Sequence, residues 1–562
     1  MRIFFYLLAA LAVSIVALPT ARAQYSNTDR YQIVSNSLVR TAPTTNSIAV
    51  DFASAWLDVP AAPFQLRRFD TPGNDSFGAG TQLGNTAAMV TELLQSIRTC
   101  GERCYVDLAS LNKIDGVRNW VAGAIQDWTV GKPATARLIL RITIGYAVAS
   151  NSTMEDDVSY FKPTVSNANG RVEVYGIHMG SGPTFGVGTW SHVKTFGVYD
   201  LSSQHYKLLF GGQNHWAEYN NPLPPFDTNT MVDGNAALGE ALQIDAAARW
   251  FGADRTYLGY ALWWDAGTNG FGEHRYAVRE AGYQNGLFGT FSGLVDSNPQ
   301  TLGAPAPGQR ALISLIDMGN YSVGHVGRTI ARALHDLVAA EPKDNNIRVW
   351  QQQICRATGL GVPGNCSGRS PQTYVGALVY RAITAARLGW ASNVWVLTST
   401  STDMKNKGYA APYSGSTRGS LYETALAHVC IGDPDSGYWD YQPGWNRLRY
   451  FNNPRGRGSC YDAVVRAVNA RFHMRMVRAN LPGFVGPQWV GEHQKLVMFG
   501  REAMYQGSFN AYPSAVISGT GSTYESKLVE NGAIILDADY VNDHVNAFET
   551  AWAGSVPIIG GE

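Results

Sequence analysis

Beyond its first two dozen residues this sequence has no long hydrophobic run. The most apolar later stretch, Tyr374 to Leu397, is broken by Arg381 and Arg387, which leaves no candidate for an internal span of roughly 20 apolar residues. Neither sign of charge is in excess: 44 Lys and Arg offset 44 Asp and Glu, and charged residues are only 16% of the chain. Without a broad basic footprint for a polyanion, nucleic acid is a disfavoured partner. Cysteine is scarce, six in 562 residues, and C-x2-C knuckles do not pair up, so no metal site is expected. Gly-x-Ser-x-Gly is missing, which excludes the nucleophile elbow of serine esterases. Glycine pairs such as Gly78-Ala-Gly80 do not join a strand to a helix at dinucleotide spacing, and no cofactor is expected.

What is present begins at the N-terminus. Met1 and Arg2 lead into an apolar stretch from Ile3 to Leu18 and then Ala21-Arg22-Ala23, the small-x-small pattern that signal peptidase accepts. Residues 1–23 are therefore expected to be a signal peptide and the mature, secreted chain to start near Gln24. An uncleaved anchor is the alternative, for which the run is short. Six cysteines suit an exported chain as disulfides. Cys100/Cys104, Cys355/Cys366 and Cys430/Cys460 are natural neighbours, among fifteen possible connectivities. Asn74, Asn151, Asn320 and Asn365 open glycosylation sequons, used only where the host glycosylates exports. His178, His205, His215, His325 and His428 are expected to be structural or exposed rather than metal ligands. Aromatic rings suit a lipid-facing rim, for which Trp263, Trp264 and Phe271 are the candidates.

Hydrophobic periodicity predicts a helix over 86–97, a strand over 105–111, a helix over 117–128 and buried strands over 136–144, 172–178 and 206–210. That alternation argues for a layered α/β domain. Asp296 to Gly308 is rich in turn formers and reads as a linker. A second cycle follows: strand 310–318, helices 324–340 and 375–388, and strands at 392–397, 473–477, 493–499 and 532–536. The chain therefore reads as an internal duplication, with halves 24–300 and 301–562.

One motif recurs once in each half. His192-Val-Lys194 is followed by Gly211-Gly-Gln-Asn214, and His493-Gln-Lys495 by Gly507-Ser508-Phe-Asn510. On a strand, residues two apart share a face, so each His projects with its Lys, as Gly212 does with Asn214 and Ser508 with Asn510. An imidazole, an ammonium and an amide in one place supply a nucleophile, a proton donor and positive charge for a phosphodiester. A single His-x-Lys is more often a solvated strand face; two, each followed by Gly-x-x-Asn and lying one in each half, weigh strongly toward a shared site. Asp227 and Glu530 follow these elements, and each is placed to accept a hydrogen bond from a histidine ring.

These residues resemble the duplicated His-x-Lys-x4-Asp signature of the phospholipase D superfamily, and most closely its secreted bacterial, actinomycete-type group. The resemblance spans about 86–250 and 310–552. It implies two α/β/α-layered halves packed side by side, with one active site at their pseudo-twofold interface. It further implies that one histidine attacks phosphorus and the other protonates the leaving alcohol. Lys194, Lys495, Asn214 and Asn510 would bind the phosphate, with Asp227 and Glu530 orienting the histidines. His192 is the expected nucleophile, because that group uses its N-terminal histidine and Asp227 is taken as its partner; His493 is then the acid. The pattern's aspartate falls at Tyr199, with Asp200 one place later, and at Gly500, where Glu502 is the nearby substitute. Gly212 stands where the usual Gly-Ser-x-Asn has serine.

The implied function is a secreted, metal-independent phospholipase D. It would hydrolyse glycerophospholipids to phosphatidate and head group at a membrane or micelle surface, transfer phosphatidyl groups to alcohols, and act as a monomer. The alternatives are a secreted nuclease of the same superfamily and a catalytically degenerate lipid- or host-binding protein.

Overall fold

The computed structural model describes residues 25–37, 56–57, 65–71, 86–145, 151–179, 190–215, 227–234, 259–265, 270–273, 310–318, 329–351, 374–398, 466–477, 493–509 and 528–559. Residues 1–23, expected to be a signal peptide, residues 296–308, expected to be a linker, Asn510 and Cys355, Cys366, Cys430 and Cys460 lie outside them. Cys100 and Cys104 are joined by a disulfide. Among the described residues no helix is long and apolar enough to cross a membrane.

Two elements come first, α1 (Asn27–Ser37) and β1 (Trp56–Leu57). The first lobe then runs β2 (Gln65–Thr71), α2 (Thr86–Thr99), β3 (Arg103–Ser110), α3 (Arg118–Thr129), β4 (Arg137–Ile144), α4 (Asn151–Ser159), α5 (Lys162–Asn167) and β5 (Val172–Met179). It continues through β6 (Trp190–Ser191), β7 (Thr195–Asp200), β8 (His205–Gly211), β9 (Asp227–Gly234), β10 (Gly259–Asp265) and β11 (Gly270–Glu273). The second lobe opens with β12 (Ala311–Met318), α6 (Thr329–Ala340), β13 (Ile347–Gln351), α7 (Tyr374–Leu388), β14 (Val394–Thr398) and β15 (Phe472–Met476). It closes with β16 (Lys495–Phe499), β17 (Ala503–Gly507), β18 (Leu528–Leu536), α8 (Ala538–Ala553) and β19 (Val556–Ile559).

The two sheets share one strand order. The first reads β2-β9-β8-β7-β3-β4-β5-β10 with β11 beyond, and the second β12-β18-β17-β16-β13-β14-β15-β19. In both, three consecutive central strands are parallel and the other neighbours along these paths are antiparallel. This repeat of order and direction is the internal duplication in three dimensions. Parallel strands are covered on both faces and so read as nearly unbroken apolar runs. Every residue of β4 after Arg137 is buried. Arg141 interrupts that run and is accommodated over the rings of Tyr105 and Tyr199, 3.7 Å from Asp107.

Helices α2 to α5 cover one face of the first sheet with a core that includes Leu93, Ile97, Ile125, Trp128 and Val158. In the second lobe α6 and α7 cover one face. Its other face takes α8, which is capped by Asp537 accepting from the Tyr540 N–H at 3.1 Å and sets Phe548 against Trp350 and Trp552 against Trp395. The second lobe is thus layered α/β/α. The N-terminal helix α1 packs on this second lobe: Tyr31 and Val34 join its core, and buried Arg30 donates to Glu341 and, at 2.6 Å, to Glu502.

The residues at the expected aspartate positions have other work. Tyr199 is buried, and Asp200 caps the turn after β7 by accepting from the Ser202 N–H at 2.9 Å. Gly500 has φ +61°, a conformation in which an aspartate would be strained. Glu502 is committed to Arg30. Trp263 and Trp264 fall on β10 and Phe271 on β11, at the edge of the first sheet, but their side chains lie outside the described residues.

Candidate active site

Neither histidine pair lies within a strand as periodicity predicts. β6 pairs in parallel with β18, with Trp190 opposite Leu528 and Ser191 opposite Val529. β7, beginning at Thr195, belongs to the other sheet. His192, Val193 and Lys194 are therefore the crossing between the two sheets, and no single ladder can hold them. The crossing also sets the partner: the residue after Val529 is Glu530, and His192 Nδ1 lies 3.0 Å from both of its carboxylate oxygens. His493 and Gln494 precede β16 in the same way and dock on the start of β9. His493 Nδ1 is 2.8 Å from Asp227 Oδ2, Gln494 Nε2 donates to Thr228 Oγ1 at 2.7 Å, and the Thr228 N–H donates back to Gln494 at 3.2 Å.

The carboxylates are thus exchanged between lobes. The expectation that Asp227 partners His192 is corrected: Asp227 serves His493, and Glu530 serves His192. Sequence order suggests pairing within a half, whereas strand β6 joins the other half's sheet. Each lysine ammonium donates to the carbonyl of the histidine two residues earlier, at 2.7 Å in both lobes. Asn214 is buried with its Oδ1 accepting from the Leu111 N–H at 3.1 Å. Gly212 and Asn214 lie beyond β8, and Ser508 beyond β17, so these also are strand-end residues.

Ser508 Oγ donates to Glu530. The corresponding Gly212 has no room for a side chain, because a Cβ there would overlap the Asp227 carboxylate and come within 2.8 Å of the His493 carbonyl oxygen. Sequence reasoning missed Gln494, Thr228 and Gln506, whose Nε2 donates to the Thr228 carbonyl at 2.7 Å. Their partners stand more than 260 residues away in the chain, and no local pattern marks them. His215 is structural, as expected: its Nε2 bonds the Thr195 carbonyl at 2.9 Å, and burial lowers it to about 4.

Burial and the two like charges govern the electrostatics. Burial, then Lys194 and Lys495, hold His192 well below its ordinary 6.5, so it is neutral near neutral pH. Burial and Lys495 lower Lys194 as well, against the pull of Glu530 and Asp227. Burial raises Glu530 to about 8, opposed by Lys194, Ser508 and Lys495. Groups from both lobes therefore act on one another at a single place. With each Nδ1 turned to a carboxyl group, Nε2 is the atom left to face a substrate, and that of His493 lies 3.1 Å from the Lys495 ammonium nitrogen.

The exchanged pairing has a direct spectroscopic consequence. In 15N-detected imidazole spectra, Glu530→Gln is expected to shift the Nδ1 resonance of His192 and leave that of His493 in place. Asp227→Asn should do the reverse, and wild-type His192 should remain neutral as pH falls through 6.5. A response of His192 to Asp227→Asn alone would contradict the pairing.

No protein-family model and no curated protein matches this sequence. Solved structures do. The chain is similar to phosphatidylserine synthase from Haemophilus influenzae Rd KW20, at 13% identity over 90% of this chain and 89% of that one, with a TM-score of 0.48. It is similar to the yeast tyrosyl-DNA phosphodiesterase, at 10% identity over 88% and 92% with a TM-score of 0.37. A phospholipase D family member, Nuc from Salmonella typhimurium, matches at 12% identity over 34% of this chain and 95% of its own, with a TM-score of 0.21. At TM-scores below 0.5 these likenesses carry no weight, and the chemistry of this chain is judged from its own side chains.

Proposed function

We propose that this protein is a phosphodiesterase of the phospholipase D type, exported through its N-terminal segment and acting as a monomer on glycerophospholipids at a membrane or micelle surface. The observation that carries the reading is the exchange of carboxylates. It brings two histidines and two lysines, one of each per lobe, to a common place with both Nδ1 atoms occupied.

A neutral, buried imidazole is the form that attacks, and this now supports His192 as nucleophile in place of the argument from Asp227. His192 Nε2 forms a bond to phosphorus while the bond to the alcohol oxygen breaks, and His493 Nε2–H gives that oxygen its proton. Lys194 and Lys495 balance charge on the non-bridging oxygens. Asn214, with its carbonyl end taken by Leu111, offers its NH2 end. Water, or a second alcohol, then gives its proton to His493 and displaces His192, which yields phosphatidate or the exchanged lipid.

The test is release of head group and formation of phosphatidylethanol from mixed phospholipid liposomes in 2-hydroxy-free buffer with added ethanol and excess EDTA, beside single-stranded DNA. Lysines supply the positive charge that a metal would supply elsewhere, so activity should survive the chelator. Cleavage of DNA alone would favour a nuclease, and no turnover of either a binding protein. Activity lost to EDTA and restored by one divalent cation would contradict the mechanism.

A further inference from the structure

Gln351, the last residue of β13, is fully buried, and neither its Nε2 nor its Oε1 has a hydrogen-bond partner among the described residues. It stands directly opposite Lys495 in the antiparallel β13–β16 pair. Directly opposed residues project to the same face, so the Gln351 side chain leaves the sheet on the face of the lysine assigned to the phosphate. The shared strand order makes Ser110, at the end of β3, its counterpart in the first lobe. There the short side chain is engaged, its Oγ accepting from the His215 N–H at 3.2 Å. The second lobe has instead a longer side chain whose donor and acceptor are both uncommitted among the described residues.

A buried carboxamide left unsatisfied is unfavourable, and such groups are accounted for by water or by a ligand. A phosphodiester can satisfy only half of this one, because its oxygens accept and do not donate. Oε1 requires an N–H or O–H. Lys495 is not that donor, since its ammonium bonds the His493 carbonyl at 2.7 Å and Gln351 has no bond to it. With His192 as nucleophile and His493 as acid, the second lobe is the side on which the alcohol leaves, so that donor comes from the alcohol. We infer that Gln351 is a substrate-binding residue that selects leaving alcohols carrying their own N–H or O–H, such as ethanolamine, serine or glycerol, over the quaternary choline head group. A choline ester would leave Oε1 buried and unpaired, the situation in which sites discriminate against a ligand lacking one hydrogen-bonding group.

This inference rests on the phosphodiesterase reading, and the experiment separates the two. Wild-type protein is assayed on mixed detergent micelles holding equal surface fractions of phosphatidylethanolamine or phosphatidylcholine, and on bis(p-nitrophenyl) phosphate, which has no head group to recognise. The expected result is a preference in kcat/KM for the ethanolamine lipid of about tenfold or more, the size of one buried hydrogen bond. Gln351→Met keeps the volume and removes both polar atoms. It should bring the two lipids to within about twofold, while its melting temperature stays at or above that of wild type. Equal wild-type rates on the two lipids, with the chromogenic ester cleaved, would overturn the inference and leave the phosphodiesterase reading standing. So would a preference that persists in Gln351→Met. A wild-type protein inactive on all three substrates would remove the phosphodiesterase reading and this inference together.

Discussion

His192→Ala is expected to abolish phosphoenzyme formation with every phosphodiester and to lower turnover by about 10⁴-fold or more, the scale on which loss of a nucleophile is felt. The reason is specific to this ring. Burial and two neighbouring lysines keep His192 unprotonated, and when Glu530 is ionised it accepts from Nδ1–H, so that Nε2 carries the lone pair. His493→Ala should behave differently, because it removes a proton donor and not the atom that bonds to phosphorus. With p-nitrophenolate as leaving group, which departs without protonation, the enzyme should still be phosphorylated. The adduct should then persist, since its hydrolysis lacks a base. Intact-protein mass spectrometry after mixing with bis(p-nitrophenyl) phosphate reads both variants. An adduct on His493 in the His192→Ala protein would reverse the roles.

Gly212→Ala should cost about 100-fold in kcat/KM, the effect of displacing a reacting group by roughly 1 Å. The added methyl meets the Asp227 carboxylate on one side and the His493 backbone carbonyl on the other. The carboxylate yields more easily than the backbone, so Asp227 should swing from His493 Nδ1, and the ring would lose its orientation. Gly212→Ser, which restores the residue usual in the resembling motif, should be at least as damaging, because this lobe has an aspartate where the other has the longer Glu530. Parallel variants at Ser508 give the contrast: Ser508→Ala opens space and removes one hydrogen bond to Glu530, and should cost less. Equal activity of Gly212→Ala and wild type, in protein of unchanged melting temperature, would show that Asp227 does not position His493.

The crowding around Gly212 illustrates what could and could not be read along the chain. Elements such as β4, α3 and α7 were legible because their periodicity is set by burial within the element itself. The duplication was legible because both copies keep His-x-Lys followed by Gly-x-x-Asn. Strand β9 was not, since Asp227-Thr-Asn-Thr-Met-Val-Asp-Gly has few apolar residues and is buried against polar partners from the other lobe, Gln494 and Gln506 among them. Nor was the attachment of α1 to the second lobe, which depends on Arg30 meeting Glu341 across 311 positions.

By itself, the sequence determined the kinds of chemical group available, their twofold recurrence and the layered α/β character, because each depends on residue type and short spacing. Which carboxylate serves which histidine, why Gly212 excludes a side chain, and that Gln351 stands beside Lys495 were decided only by tertiary structure. The physical reason is that β6 crosses from one sheet to pair with the other, so the partners at the site are chosen by strand register between lobes, a contact that no local pattern encodes.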